Sequence, residues 1–163
     1  RHGLRLDALV KPPHLRPLMD FVERWPDLPV VIDHAAKPVL RDGWRAPWVH
    51  AWYDGLTELS RHPRVDCKFS ALLTEADRTS VDSTAAAIQT VRPVWDRLLR
   101  LFGPARLMWG SDWPVLTLAA DYRRWVAVSV ALIGELAAPE QDQAWASTAR
   151  RFYALTIPTE DIA

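Results

Sequence analysis

The sequence is poor in the residues that build disulfide scaffolds, zinc clusters and nucleotide-binding loops. Cys67 is the only cysteine among 163 residues, which excludes an internal disulfide framework and a zinc cluster built from several cysteines. Glycine occurs six times, and neither a glycine-rich dinucleotide fingerprint nor a GxxxxGK[ST] phosphate loop is present. These absences argue against a small secreted scaffold, a zinc finger and the common nucleotide-binding folds.

The chain also lacks an excess of charge and a long apolar run. Twenty basic residues balance twenty acidic ones, so no net field favours nucleic acid or anionic lipid. No apolar segment approaches the roughly 20 residues of a membrane span. The first ten residues, RHGLRLDALV, lack the apolar core of a signal peptide. We therefore expect a globular protein of the cytoplasm that binds neither nucleic acid nor membranes.

Two kinds of segment alternate along the chain. Four apolar segments rich in β-branched residues have the length of strands: 3–10, 29–35, 64–71 and 105–111. Apolar residues at steps of three and four predict helices over 13–25, 47–61, 92–102, 119–137 and 139–155. Pro93 would then lie in the first turn of the third helix. The order β-α-β-α-β-α-β-α-α predicts an α/β fold with a parallel sheet of about four strands covered by helices.

Polar residues at the strand ends distinguish between two α/β folds that fit this alternation, a doubly wound sheet and part of a (β/α)8 barrel. They follow three of the four strands: Asp33-His34, Lys68 with Ser70, and Ser111-Asp112. Barrel enzymes build their active sites at the carboxyl ends of the strands, so this placement favours the barrel. We expect Asp33 itself to point away from that end.

The alternation of side chains along a strand predicts which residues share a face. If His34, Lys68 and Asp112 point into the barrel, five further residues should point inward with them: Val30, Ile32, Asp66, Met108 and Gly110. Cys67 and Phe69 would face the helices. The same register places His34, Lys68 and Asp112 around one rim of the barrel.

Four segments together carry a resemblance to a known family. VIDHAAKP, VDCKFSALLTEAD, RPVWDRLLRLFGPARLMWGSDWPV and ARRFYAL, in this order, resemble the amidohydrolase-2 family of metal-dependent and related hydrolases. Within that family the chain is most similar to the sugar-lactone hydrolases of the L-fuconolactonase type. The resemblance implies a (β/α)8 TIM barrel. Residues 1–163 would form its C-terminal half, a partial domain with strands five to eight.

The resemblance also implies a catalytic pair. The strand-six histidine of the family falls on His34 and the strand-eight aspartate on Asp112. The aspartate would activate or position the attacking water, and the histidine would bind a metal or polarise the substrate carbonyl. One divalent ion, zinc or similar, would then be held in part by His34 and Asp112, although some relatives work without a metal.

Four further residues are candidates for substrate binding. The Lys-x-Ser of strand seven falls on Lys68 and Ser70, and the lysine could hold an oxyanion or a carboxylate as a point charge. Trp109 or Trp113, beside Asp112 in the sequence, could stack on the apolar face of a sugar ring. Five other tryptophans lie at helical spacings and are expected in the core: Trp48, Trp52, Trp95, Trp125 and Trp145.

Structural roles compete with these assignments. Asp112 could stabilise a turn, and His34 could be a hydrogen-bonded core histidine. Lys68 could form an ion pair with either Asp66 or Asp7.

One departure from the family pattern bears on function. Family members are expected to open with an Asp-x-His-x-His-type motif on strand one, and no His-x-His occurs in this sequence. The first hypothesis is a hydrolase that opens a lactone ring of a small sugar acid by Asp-assisted attack of water. The alternative is a catalytically incomplete half-barrel that self-associates through its open sheet edges. A third reading is a different parallel α/β protein, such as a small-molecule binding module.

Overall fold

Four short parallel strands form the centre of the molecule. In the computed structural model, which describes residues 3–156, they are β1 (Leu6–Ala8), β2 (Val30–Ile32), β3 (Val65–Phe69) and β4 (Leu107–Trp109). Each strand pairs in parallel with the next, in the order β1-β2-β3-β4. Spatial order follows chain order, as in a barrel, whereas a doubly wound sheet reverses direction at a switch point. The predicted barrel-like α/β arrangement is confirmed.

Helices connect the strands, as the alternation predicts. They are α1 (Leu15–Arg24), α2 (Trp48–Ser60), α3 (Thr84–Phe102), α4 (Tyr122–Ile133), α5 (Ala138–Asp142) and α6 (Thr148–Tyr153). A π-helical segment, Gln143–Ser147, joins α5 to α6, and short 3-10 turns occupy several of the loops. Over residues 3–156, no helix has both the length and the apolar character that crossing a bilayer requires.

Two helix boundaries differ from the sequence pattern. α3 begins at Thr84, where the Ser83 hydroxyl accepts a hydrogen bond of 3.2 Å from the Ala86 N–H. Pro93 therefore lies inside the helix, and its placement in a first turn was wrong. The alanine run at 85–87 shows no large apolar period, yet alanine is the strongest helix former. α4 is shorter than predicted at both ends: Asp121 caps its start, and the helix ends at Ile133, before Gly134.

The side of the sheet that faces α1–α4, here called the helix face, forms the main core. Its strand side chains include Val30, Ile32, Cys67, Phe69 and Leu107, each at most 1% exposed. Phe69 lies between Trp95 and Trp125, with ring centroids 4.8 and 5.0 Å away. Trp52 is likewise buried, so the predicted core position is confirmed for these three tryptophans, while Trp48 and Trp145 are half-buried.

The opposite side of the sheet, here called the inner face, carries charged residues and a small apolar cluster. Its strand side chains are Asp7, Val31, Asp66, Lys68 and Met108. Val31 and Met108 pack against Phe152 of α6. The predicted alternation holds for β3 and β4 but was wrong for β2, because Val30 and Ile32 point to the helix face. β2 ends at Ile32, and a turn with a different backbone conformation follows.

Candidate active site at the carboxyl end of the sheet

Three side chains that follow β2, β3 and β4 meet at the carboxyl end of the sheet. His34 Nδ1 lies 2.8 Å from the Ser70 Oγ, and His34 Nε2 lies 3.5 Å from Asp112 Oδ1. The side chains of His34 and Asp112 are 17% and 12% exposed, so both are mostly but not completely buried. The structure brings together these three sequence-predicted site residues.

Left-handed backbone conformations place both members of the histidine–aspartate pair. In the segment 33–37, here called the His34 turn, four consecutive residues have positive φ: His34, Ala35, Ala36 and Lys37, at 49° to 57°. In the segment 110–114, here called the Asp112 turn, Asp112 has a φ of 55°. This conformation costs about 1–2 kcal/mol for each residue that has a Cβ atom. Such turns persist only where the surrounding structure holds them.

The His34 turn also explains the wrong parity of β2. A strand that continued past Ile32 would put His34 on the helix face, with Val30 and Ile32. The left-handed residues redirect the chain, and the imidazole reaches the other strand ends instead. Sequence periodicity carries no signal for this change: histidine is among the non-glycine residues that adopt positive φ more often than most, but alanine and lysine are not, and four such residues in a row are rare.

Burial determines the protonation of His34. Burial lowers the pKa of the imidazole, and the charges of Asp112 and Asp33 oppose that shift only in part. The ring is therefore neutral at neutral pH. If Nδ1–H donates to the Ser70 Oγ, the lone pair of Nε2 is directed at the space beside Asp112.

Asp112 has an oxygen without a protein partner. Its Oδ2 is buried and accepts no hydrogen bond from any residue in the range 3–156. An unsatisfied buried carboxylate oxygen costs more than about 1–3 kcal/mol, which makes it a strong acceptor for water, a metal ion or a substrate hydroxyl.

The histidine–aspartate pair fits one part of a metal site. Two ligands at about 2.1 Å from a tetrahedral zinc ion lie roughly 3.4 Å apart, close to the 3.5 Å between His34 Nε2 and Asp112 Oδ1. A hydrogen bond from Nδ1 to Ser70 would orient the ring in the way that metal-binding histidines require. Within residues 3–156, no three His, Cys, Asp or Glu side chains cluster as a complete set. Further ligands would have to come from elsewhere.

Lys68 lies on the inner face in a network of charges. Its Nζ is 2.7 Å from Asp7 Oδ2 and 2.6 Å from Asp33 Oδ1. The Tyr153 hydroxyl donates to the same Asp7 oxygen at 2.7 Å. Burial lowers the pKa of the Lys68 ammonium, but its two carboxylate partners outweigh burial and raise the pKa above its usual range. Of the two ion pairs left open by the sequence, the one with Asp7 is formed.

Asp66 has a different partner. Its Oδ2 lies 2.9 Å from Arg151 Nη2, while its Oδ1 is buried and has no hydrogen-bond partner among the described residues. Burial raises the pKa of Asp66, and the guanidinium of Arg151 lowers it in part. This pair ties α6 to β3 beneath the site.

Two residues of the charge network, Asp33 and Tyr153, were missed by sequence reasoning, whereas Asp7 was one of the two partners expected for Lys68. Asp33 does not point away from the site as expected, because it lies at the start of the left-handed turn and contacts Lys68. Asp7 and Tyr153 come from opposite ends of the chain, and no local pattern joins them. Asp33 could have been found from its position directly after a buried strand.

The two candidate stacking tryptophans lie in different environments. Trp113 is 67% exposed beside Asp112, at the rim. Trp109 belongs to the helix layer: its indole N–H donates to the Ser129 Oγ at 2.8 Å, and its ring packs on Trp145 at 5.1 Å. Trp113 is therefore exposed directly after Asp112 in the chain, whereas Trp109 is held in the helix layer, away from the site.

Comparisons with known proteins point to one family. The sequence pattern of the amidohydrolase family matches residues 1–155. An L-fucono-1,5-lactonase of Burkholderia ambifaria is 38% identical over 164 residues, covering 98% of this chain and 53% of that protein. An L-fucono-1,5-lactonase of Burkholderia multivorans is 40% identical over 158 residues, covering 94% of this chain and 52% of that protein.

A solved structure gives the same result. The crystal structure of an amidohydrolase from Burkholderia multivorans with bound zinc superposes with a TM-score of 0.83 at 37% identity. The match covers 93% of this chain and 53% of that one. The chain thus spans about half the length of the curated relatives it matches.

Proposed function

The chain belongs to the amidohydrolase family, and from this premise we propose that it supplies the His34–Asp112 part of a site that hydrolyses a sugar lactone. The substrate class is supported by the two relatives that are L-fucono-1,5-lactonases. We propose that residues 1–163 are part of one barrel domain, with the four strands as strands five to eight. The observation that carries the proposal is the 3.5 Å approach of His34 Nε2 to Asp112 Oδ1, beside an aspartate oxygen without a partner.

Asp112 is proposed as the base of the reaction. Lactone hydrolysis requires a nucleophilic water, a polarised carbonyl and a proton for the leaving alkoxide. The free Oδ2 can accept a proton from a water molecule that lies between the pair and the lactone carbonyl. The protonated carboxyl can then return that proton to the ring oxygen when the C–O bond breaks.

His34 is proposed as a metal ligand or as the group that polarises the carbonyl. Its neutral ring and the hydrogen bond to Ser70 support the first role. A divalent ion, zinc or similar, would be held by His34 Nε2 and the Asp112 carboxylate. When bound, it would lower the pKa of a water molecule toward about 7 and polarise the carbonyl.

Lys68 and Trp113 are proposed to bind the sugar acid. The Lys68 ammonium lies between Asp7 and Asp33, and it is proposed to attract a substrate oxygen as a positive charge. Trp113 presents an exposed ring next to Asp112, suited to stacking on a sugar face. Ser70 is proposed to act through the histidine, because its hydroxyl is buried against that ring.

The test is hydrolysis of L-fucono-1,5-lactone, measured by the acid that the reaction releases. It is done with this chain and with a chimaera in which the chain replaces the matching segment of the Burkholderia ambifaria lactonase. We expect Asp112→Asn to reduce kcat in the active protein by at least a hundredfold, because the base is lost. Asp96→Asn changes an exposed helix residue and should leave kcat unchanged. Equal activity of the Asp112→Asn and Asp96→Asn proteins would contradict the assignment.

A further inference from the structure

Two completely buried tryptophans contact the backbone of the turns that carry the catalytic pair. The indole N–H of Trp52, from α2, donates to the Ala35 carbonyl at 2.7 Å. The indole N–H of Trp125, from α4, donates to the Gly110 carbonyl at 2.8 Å. Ala35 directly follows His34, and Gly110 lies two residues before Asp112.

Each of these carbonyls belongs to a turn that needs external support. His34 and Asp112 both adopt left-handed conformations with a φ of 55°, although neither is glycine. The strain favours relaxation of each turn unless other contacts oppose it. A backbone carbonyl that is turned toward the apolar helix face must also find a donor there.

The indole N–H is the donor that the helix layer provides. The surrounding core is apolar, and phenylalanine or leucine would fill the volume without satisfying the carbonyl. Tryptophan combines a large apolar surface with one N–H donor at its edge. Two different helices therefore hold two different turns by the same chemistry.

The two indole–carbonyl hydrogen bonds contact each turn on the side that faces away from the site. In the His34 turn, Lys37 pairs with Glu75 at 2.9 Å and Asp33 pairs with Lys68. The Trp52 bond fixes the middle of the turn between these two ion pairs. In the Asp112 turn, the Gly110 N–H bonds to the Phe69 carbonyl at 3.2 Å, so Trp125 fixes the other end of the same residue.

We propose that Trp52 and Trp125 are positioning residues, whose indole–carbonyl hydrogen bonds set the distance between His34 and Asp112. This inference rests on the proposed function of that pair. Neither tryptophan touches substrate or metal. Both act on the reacting groups through the backbone.

The test compares Trp52→Phe and Trp125→Phe with Trp95→Phe. Trp95 is equally buried and packs on Phe69, but within residues 3–156 its indole N–H donates to neither turn. The first measurement is the Cε1–H NMR signal of His34, assigned by its loss in His34→Ala. The second is the dissociation constant for zinc alone, measured by calorimetry on the whole chain.

We expect the His34 signal to shift in Trp52→Phe and Trp125→Phe and to stay in place in Trp95→Phe. Zinc binding should weaken about three- to tenfold in the first two variants, the equivalent of one lost hydrogen bond. In a His34→Ala background, Trp52→Phe should have no further effect on zinc. A common shift in all three variants, or none in Trp52→Phe and Trp125→Phe, would overturn the proposal.

Two outcomes need a separate measurement: no zinc binding by the wild-type protein, and a variant that does not fold. If wild-type protein binds no zinc, the metal assignment fails, while the His34 signal still decides the positioning role. If a phenylalanine variant does not fold, benzothienylalanine at the same position keeps the ring volume and removes only the N–H. The same replacement at position 95 is the matched control.

Discussion

The two faces of the sheet are built on different principles. The helix face has only apolar strand side chains, most of them completely buried, and three buried tryptophans behind them. The inner face carries Asp7, Asp66 and Lys68 beside Val31 and Met108. The helix face contributes most of the burial that stabilises the fold. The inner face accommodates charge, and the groups proposed for catalysis lie at its upper edge.

Charges on the inner face are tolerated because each one has a partner. A buried charge without a partner destabilises a protein by several kcal/mol, whereas a paired one is close to neutral. Lys68 lies between two carboxylates, and Asp66 meets Arg151. Two of these three partners lie outside the sheet, Asp33 in the His34 turn and Arg151 in α6. The inner face therefore depends on its loops and on α6 in a way that the helix face does not.

The largest expected effect is the loss of stability when a core phenylalanine is truncated, and it should differ between the two faces because the apolar core on the helix face is larger. Phe69→Ala opens a cavity between Trp95 and Trp125 and should lower the free energy of unfolding by about 3–5 kcal/mol. Phe152→Ala removes a ring of similar burial from the small inner cluster, where solvent can enter, and should have a clearly smaller effect. Urea denaturation measures both. Equal losses would show that the two faces stabilise the fold alike.

A smaller loss of stability is expected when a charged pair of the inner face is broken. Arg151→Ala leaves the buried carboxylate of Asp66 without its partner, and the expected loss is about 1–3 kcal/mol because the arginine itself is half-exposed. Arg92→Ala breaks the bidentate pair with Glu135 at the surface and should cost no more than about 0.5 kcal/mol. Asp66→Asn should recover part of the loss in the Arg151→Ala protein. A larger loss from the surface pair would contradict this account of the inner face.

The smallest effect concerns the sheet edges. Among the described residues, β1 and β4 each pair with one neighbour, so each has a free edge. Self-association through these edges stays a prediction. Sedimentation velocity should show weak association that rises with concentration and is reduced by Leu4→Lys, a change at an exposed residue just before the edge strand β1. A single monomeric species at all concentrations would exclude it.

Sequence reasoning was accurate for most elements that pack one face on a continuous apolar layer, with β2 as the exception. The alternation of strands and helices, the outward Cys67 and Phe69, and the buried Trp52, Trp95 and Trp125 all follow from period and apolar content. The convergence of His34, Ser70 and Asp112 could be expected from the carboxyl ends of parallel strands. Pro93 shows the limit, because helix propensity without apolar period extended α3 upstream of it.

The parts that could not be predicted involve residues distant in sequence or backbone in rare conformations. The orientation of His34 depends on four consecutive left-handed residues that no local pattern announces. Lys68 was correctly placed on the inner face, but its second partner, Asp33, depends on that same turn. Tyr153 and Asp7 are brought together only because α6 packs under the sheet.

The sequence by itself determined the family, the α/β class and the two residues proposed for catalysis, because motifs and periodicity are local properties that the letters contain. Only the tertiary structure decided how those residues are presented. The His34 turn reverses the parity of β2, Lys68 is shared by two carboxylates, and the Asp112 Oδ2 remains free. The physical reason is that each of these outcomes balances local strain or desolvation against contacts from distant segments, and that balance exists only in the folded chain.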